Sequence, residues 1–278
     1  MRFGISTHLY HDRRLERGHL EQVAGYGFEA IELFATRSHF DYHDPAAIAN
    51  LAQWLKETGL ALHSVHAPIT DAFGPDGWKP TYSLALSDTG LRTASVREAA
   101  AALEIAKQIP YAVLVVHLGT PASKNNPGDN HRASAVRSLD EICRLAEPLG
   151  VQVAAEVIPN RLSDPSSLVS LIEDNLDAGP GICLDFGHAH MMGDVADAIE
   201  ITSEYLFATH VHDNHGRDDE HLVPYLGTIQ WDLALVTMQK IGYEGTYLME
   251  LAGTGAHASV LEEARRARQR FERTLTHA

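Results

Sequence analysis

Between Thr209 and His221 the chain reads Thr-His-Val-His-Asp-Asn-His-Gly-Arg-Asp-Asp-Glu-His, four histidines and four acidic residues behind a short apolar run. Imidazole nitrogens and carboxylate oxygens gathered this densely suit a divalent metal ion. His210, His212, Asp213, Asp219 and His221 all fall at or just beyond the tip of the strand that begins this segment. A solvated loop has the same composition, so the decision rests on whether distant parts of the chain bring matching ligands.

They do, at regular places. Apolar, β-branched runs end in His66, His117, Glu156, Asp185 (with His188 three residues on), His210 with His212, and Glu250. Glu156 interrupts Val-Ala-Ala-Glu-Val-Ile and Glu250 interrupts Tyr-Leu-Met-Glu-Leu. A carboxylate buried in such a run is costly unless a cation or firm hydrogen-bond donors compensate it.

Strands are expected at 3–7, 30–34, 61–66, 112–117, 152–157, 182–185, 207–212 and 246–251. Amphipathic helices are expected at 15–26, 45–58, 91–108, 132–149, 165–176, 194–205, 231–241 and 258–274. Asp44-Pro45 and Asp164-Pro165 are start signals, and Gly25, Gly59, Gly150 and Gly242 are stops. Eight strand–helix pairs predict one (β/α)8 TIM barrel over residues 1–278, with a doubly wound open sheet as the alternative. Working residues of such a barrel sit at the C-terminal strand ends, where the ligand types recur. The stretch 67–89, rich in Pro and Gly, is too long for an ordinary connection and is expected to be a lid or substrate loop.

These residues resemble the xylose isomerase-like TIM barrels, which include sugar isomerases, ketose epimerases and apurinic/apyrimidinic endonucleases of the endonuclease IV type (AP endonuclease family 2). The resemblance covers nearly the whole chain. It rests on Ser-Val-His66-Ala-Pro, Val-Val-His117-Leu-Gly, Glu156, Leu-Asp185-Phe-Gly-His188, His210 and Glu250. It implies a core of Glu156, Asp185, His210 and Glu250 around one Mn, Co or Zn ion. Isomerase or epimerase chemistry would then run through a metal-stabilised enediolate of a sugar or sugar phosphate, Glu156 and Glu250 exchanging the proton on opposite faces. The same resemblance assigns His188 and Arg217 to substrate binding.

The endonuclease branch implies up to three zinc ions, with His66, His117, His188, Asp219 and His221 as additional ligands. Three departures count against that reading. The loop at 37–44 holds one fixed cation, Arg37; the loop after the third strand offers Lys79 alone; and His212 stands where that branch carries asparagine. A third reading is a barrel that has lost catalysis and only binds.

Composition narrows the partners. The net charge of −15 disfavours loose attraction to nucleic acid or anionic membrane, which Lys and Arg dominate. No apolar run reaches the roughly 20 residues that cross a bilayer, and no secretory signal opens the chain. The expected setting is cytoplasmic carbohydrate metabolism with a small sugar or polyol as partner, and a homo-oligomer is compatible with it. Cys143 and Cys183 are expected as reduced, buried thiols. Phe34, Phe40, Trp78 and Trp231 are candidate sugar walls, His8 and His190 candidate pocket residues, and Gly253-Thr-Gly255 a candidate phosphate loop.

Overall fold

The structure is a computed structural model describing residues 2–74, 77–78, 82–122, 128–175, 179–252 and 256–277, with backbone only at 77–78, 175 and 277. Eight parallel strands close into a barrel: β1 (Arg2–Ser6), β2 (Ala30–Phe34), β3 (Ala61–His66), β4 (Val113–Val116), β5 (Gln152–Glu156), β6 (Gly181–Asp185), β7 (Leu206–Val211) and β8 (Thr246–Met249). Arg2 to Ile5 pair with Thr246 to Met249, so β1 and β8 seal the ring. This closure excludes the open doubly wound sheet.

Helices wrap the outside: α1 (Arg17–Gly25), α2 (Pro45–Thr58), α3 (Thr89–Leu103), α4 (Arg132–Ala146), α5 (Pro165–Asn175), α6 (Phe186–Met192), α7 (Val195–Thr202), α8 (Trp231–Lys240) and α9 (His257–His277). The expected long helices at 91–108, 132–149 and 194–205 are present, each ending in a 3-10 turn. The seven-residue α6 was not expected from periodicity, being too short to show one. Asp185 caps it directly from the end of β6, accepting the His188 N–H at 2.7 Å, so no loop separates strand from helix. Gly59, Gly150 and Gly242 take the left-handed backbone that stops a helix, but after α1 that role falls to Gly27 rather than Gly25.

The apolar core lies mostly between strands and helices, and Val113, Val115, Ala154, Cys183 and Ala208 fill the barrel interior. Strand period decides what comes above them. Two residues further along the same inward face lie His117, Glu156, Asp185 and His210, so the alternation that buries the interior also aims the polar set at the barrel mouth. Cys143 is half-buried and Cys183 buried, and both are free thiols. No helix among the described residues is long and apolar enough to cross a membrane.

Outside the mouth, His39 is fully buried with Nδ1 against the Arg13 carbonyl at 2.7 Å, and Nε2 has no hydrogen-bond partner among the described residues. Burial pulls its pKa down to about 4, and nearby His19 and His11 push the same way. Above pH 6.5 the ring is neutral folded or unfolded; as pH falls from 6.5 toward 4 only the unfolded chain takes up the proton, so stability is lost. Urea unfolding at pH 7 and pH 5 should therefore show a smaller acid loss for His39→Asn than for the native chain, the full contribution being about 3 kcal/mol near pH 4. Equal losses in both proteins would exclude His39 as a source of acid lability.

Candidate metal centre

Six of the expected ligands reach the mouth from six different strands, while His188 lies in α6 and Asp219 and His221 in the loop after β7. His66 ends β3, Glu156 ends β5 and Asp185 ends β6; His117 and Glu250 follow β4 and β8 directly, and His210 is in the last turn of β7. Glu156, Asp185, His210 and Glu250 are all buried, with one ligand atom each within 4.8 Å of the others.

The decisive atom is His210 Nδ1. It lies 3.5 Å from Glu250 Oε2, 3.6 Å from Glu156 Oε2 and 3.8 Å from Asp185 Oδ2, is buried, and makes no hydrogen bond among the described residues. Those spacings are long for hydrogen bonds but close to the roughly 3.4 Å that separates ligands 2.1 Å from a tetrahedral ion. The other ring nitrogen, Nε2, donates to Glu32 Oε2 at 3.1 Å. That bond leaves the Nδ1 lone pair facing the three carboxylates, the arrangement in which a carboxylate orients a metal-binding histidine.

Glu32 was not singled out in the sequence, although the same signal was there: an acid inside the apolar Ala-Ile-Glu-Leu-Phe strand. Fully buried, it accepts from Ser6 Oγ at 3.0 Å and Ser64 Oγ at 2.9 Å, so its geometry is set before any ligand arrives. Burial pushes its pKa up, but His210 and the hydrogen bonds outweigh this and hold it below the usual range. Glu32→Gln keeps an acceptor and removes the charge. Metal affinity, measured by competition with a chelating dye, is expected to fall about 10- to 100-fold. Unchanged affinity would show that Glu32 does not orient His210.

Two further groups flank the core. His66 Nε2 and His117 Nε2 approach Glu156 Oε2 at 3.1 and 3.0 Å. His188 Nε2 and His221 Nε2 approach Asp219 Oδ2 at 3.2 and 3.1 Å. Main-chain carbonyls hold the far side of three of these rings: Ala67 O for His66, Val157 O for His188 and Glu250 O for His221, each contacting Nδ1 at 2.8 to 3.0 Å. With Nδ1–H committed to a carbonyl, a neutral ring offers Nε2 only as a lone pair. A carboxylate opposite it then calls for a proton or a metal ion between them. In the metal-free state a proton serves: burial lowers His221, but Asp219 and Glu250 outweigh it and raise it to about 10. His66 and His188 move up for the same reason, and Glu156, Asp185 and Asp219 move down. The donor set thus fits divalent ions.

The segment that began the sequence reading divides into parts. Asp213 is no ligand: it is buried and accepts the N–H groups of Asn214, Tyr225 and Ile229 and the Trp231 indole N–H, clamping the loop. His212 supports Asp185 from 3.0 Å, and its ring packs on Gly187, where a Cβ would come within 1.9 Å of it. His221 has a left-handed backbone (φ 47°), steadied by the Asp213–Leu222 bridge and by Ala252 N–H to its carbonyl. Arg217 is exposed on the same loop and does not line the cavity beside the ligands.

That cavity, about 130 Å³, is bounded by the ligands on one side and by Phe34, Ile69, Tyr82, Pro121 and Ile158 on another. His8 also lines it. The stretch after β3 supplies Ile69 and Tyr82, in keeping with a substrate loop; Lys79 and the side chain of Trp78 lie outside the described residues. Phe40 and Trp231 are core residues, the latter stacked on Phe186. His190 bonds Thr228 beside a separate cavity of about 250 Å³ around Asp194 and Leu233 that shares no residue with the ligand cluster. The Gly253–Gly255 loop lies outside the described residues.

Residues 20–273 match the family of xylose isomerase-like TIM barrels. The chain belongs to this family. Over 258 residues it is 29% identical to an uncharacterized protein of Methanocaldococcus jannaschii, covering 90% of this chain and 83% of that one. An inosose isomerase of Bacillus licheniformis is 29% identical over 134 residues, 43% of this chain and 47% of the isomerase. Among solved structures, a D-tagatose 3-epimerase-like protein superposes with a TM-score of 0.79 at 25% identity, covering 99% of this chain and 97% of that one. Within this family, similarity therefore reaches sugar isomerases and epimerases.

Proposed function

We propose that the protein is a divalent-metal-dependent isomerase or epimerase of a sugar or sugar-like polyol. The observation that carries this reading is His210 Nδ1, buried and unpartnered amid Glu156, Asp185 and Glu250. When bound there, a divalent cation supplies Lewis-acid polarisation of a substrate carbonyl.

The two glutamates are not equivalent. Glu156 is engaged by His66 and His117 on one oxygen, with His188 Nδ1 3.3 Å from the other. Glu250 side-chain oxygens accept no hydrogen bond among the described residues; His210 Nδ1 lies at 3.5 Å and His221 Nδ1 at 3.8 Å. Glu250 is the freer base and takes the proton from the carbon beside the carbonyl; Glu156 returns one on the opposite face. His188, lining the cavity, donates to a substrate oxygen. For Arg217, the resemblance alone supports a substrate role.

A second reading, a zinc phosphoesterase of the endonuclease type, is favoured by the two flanking ligand groups on Glu156 and Asp219. Metal analysis of the purified protein, with assays on a ketose panel and on an abasic-site duplex, separates the two. The expected result is sugar interconversion and an intact duplex. Clean incision without sugar turnover would overturn the ranking, and a metal-free, inactive protein would favour a binding barrel.

A further inference from the structure

We propose that His212 is a positioning residue of the metal centre: through one hydrogen bond it fixes the Asp185 oxygen that faces the core, and so sets metal affinity without itself binding the ion. This rests on the reading of Glu156, Asp185, His210 and Glu250 as a divalent-metal core. His212 Nε2 lies 3.0 Å from both Asp185 oxygens and donates to Oδ2, the one that stands 3.8 Å from His210 Nδ1. Asp185 Oδ1 accepts the His188 N–H at 2.7 Å. Each oxygen thus has its own donor, one from α6 and one from the residue after β7, and the carboxylate cannot turn without breaking a bond. Outer partners that orient a ligating carboxylate in this way govern how tightly a metal is held.

The ring is set to act in this sense. Nδ1 is buried with no hydrogen-bond partner among the described residues, and it lies against α6 where a Cβ on Gly187 would collide with it. A proton on Nδ1 would bury an unpaired N–H and turn a bare lone pair toward Asp185; a proton on Nε2 avoids both. The ring also stacks on His221, with 4.2 Å between centroids and 21° between planes. Contact with Gly187 and the stack on His221 hold the imidazole in place behind Asp185, as Ser6 and Ser64 hold Glu32 behind His210. His212, His221 and Glu250 also offer atoms within 4.8 Å of one another. With Nε2 given to Asp185 and Nδ1 closed in by Gly187, however, His212 has no nitrogen left for an ion.

Competition with a chelating dye for Mn and Co, in the absence of any sugar and on metal-stripped proteins shown to be folded by circular dichroism, tests this independently of turnover. His212→Leu is expected to bind about 10- to 100-fold more weakly with an unchanged number of ions per chain. His212→Gln, whose amide reaches the place of Nε2, should bind within about threefold of the native chain. Gly187→Ala leaves every hydrogen-bonding group in place but forces the ring aside; it should weaken binding about tenfold, and it carries the test if His212→Leu does not fold. Native affinity in folded His212→Leu, or in Gly187→Ala where that is the variant measured, overturns the proposal and leaves the metal reading standing. So does a lower ion count, which would make His212 a ligand, or an equal loss in His212→Gln, which would leave it a packing role only. A native protein that binds neither ion sinks the metal reading and the proposal with it.

Discussion

Glu250→Gln is expected to lower turnover of the true substrate by about a thousandfold, within the range that a positioned general base contributes. Glutamine has nearly the same shape and keeps a carbonyl oxygen toward the core, but it cannot accept a proton at neutral pH. The effect is large because Glu250 is 4% exposed and its carboxylate accepts no hydrogen bond among the described residues, so none of those groups is placed to substitute for it. Metal affinity is to be measured alongside kcat, because Glu250 is also a candidate ligand. A protein that binds metal as before and has lost turnover supports proton transfer by Glu250; full activity with bound metal excludes it.

His210→Ala should empty the core and destabilise the fold together. Its two nitrogens serve opposite ends of one line: Nε2 donates to Glu32, and Nδ1 faces Glu156, Asp185 and Glu250. Removing the ring deletes the one nitrogen among the four candidate core ligands and leaves Glu32, Glu156, Asp185 and Glu250 without it. Breaking one partner out of a buried charged network costs about 3–5 kcal/mol, and urea unfolding in EDTA reads that loss without the metal contribution. The native chain should gain stability when metal is restored, and the variant should gain far less. A variant that still binds one ion per chain with native affinity would remove His210 from the site.

Much of this was legible in the chain itself. An acid ending an apolar strand is visible in one sequence because burial makes it costly, as at Glu156 and Glu250; that these two would join Asp185 and His210 in one ligand core is what the family resemblance implies. Glu32 obeys the same rule but lies mid-strand rather than at a strand end, and its partners Ser6 and Ser64 are 26 and 32 residues away. Asp213 shows the converse limit: inside a His/Asp-rich run, composition does not distinguish a candidate ligand from a carboxylate consumed by four nearby donors.

By itself, then, the sequence determined the eightfold alternation and which strand ends carry side chains of metal-ligating type, since period and burial cost are local properties of the chain. Tertiary structure alone decided which nitrogen of each histidine faces the centre and that Glu32 stands behind His210. Those outcomes depend on hydrogen bonds between strands far apart in the chain, whose directions are set only when the barrel closes.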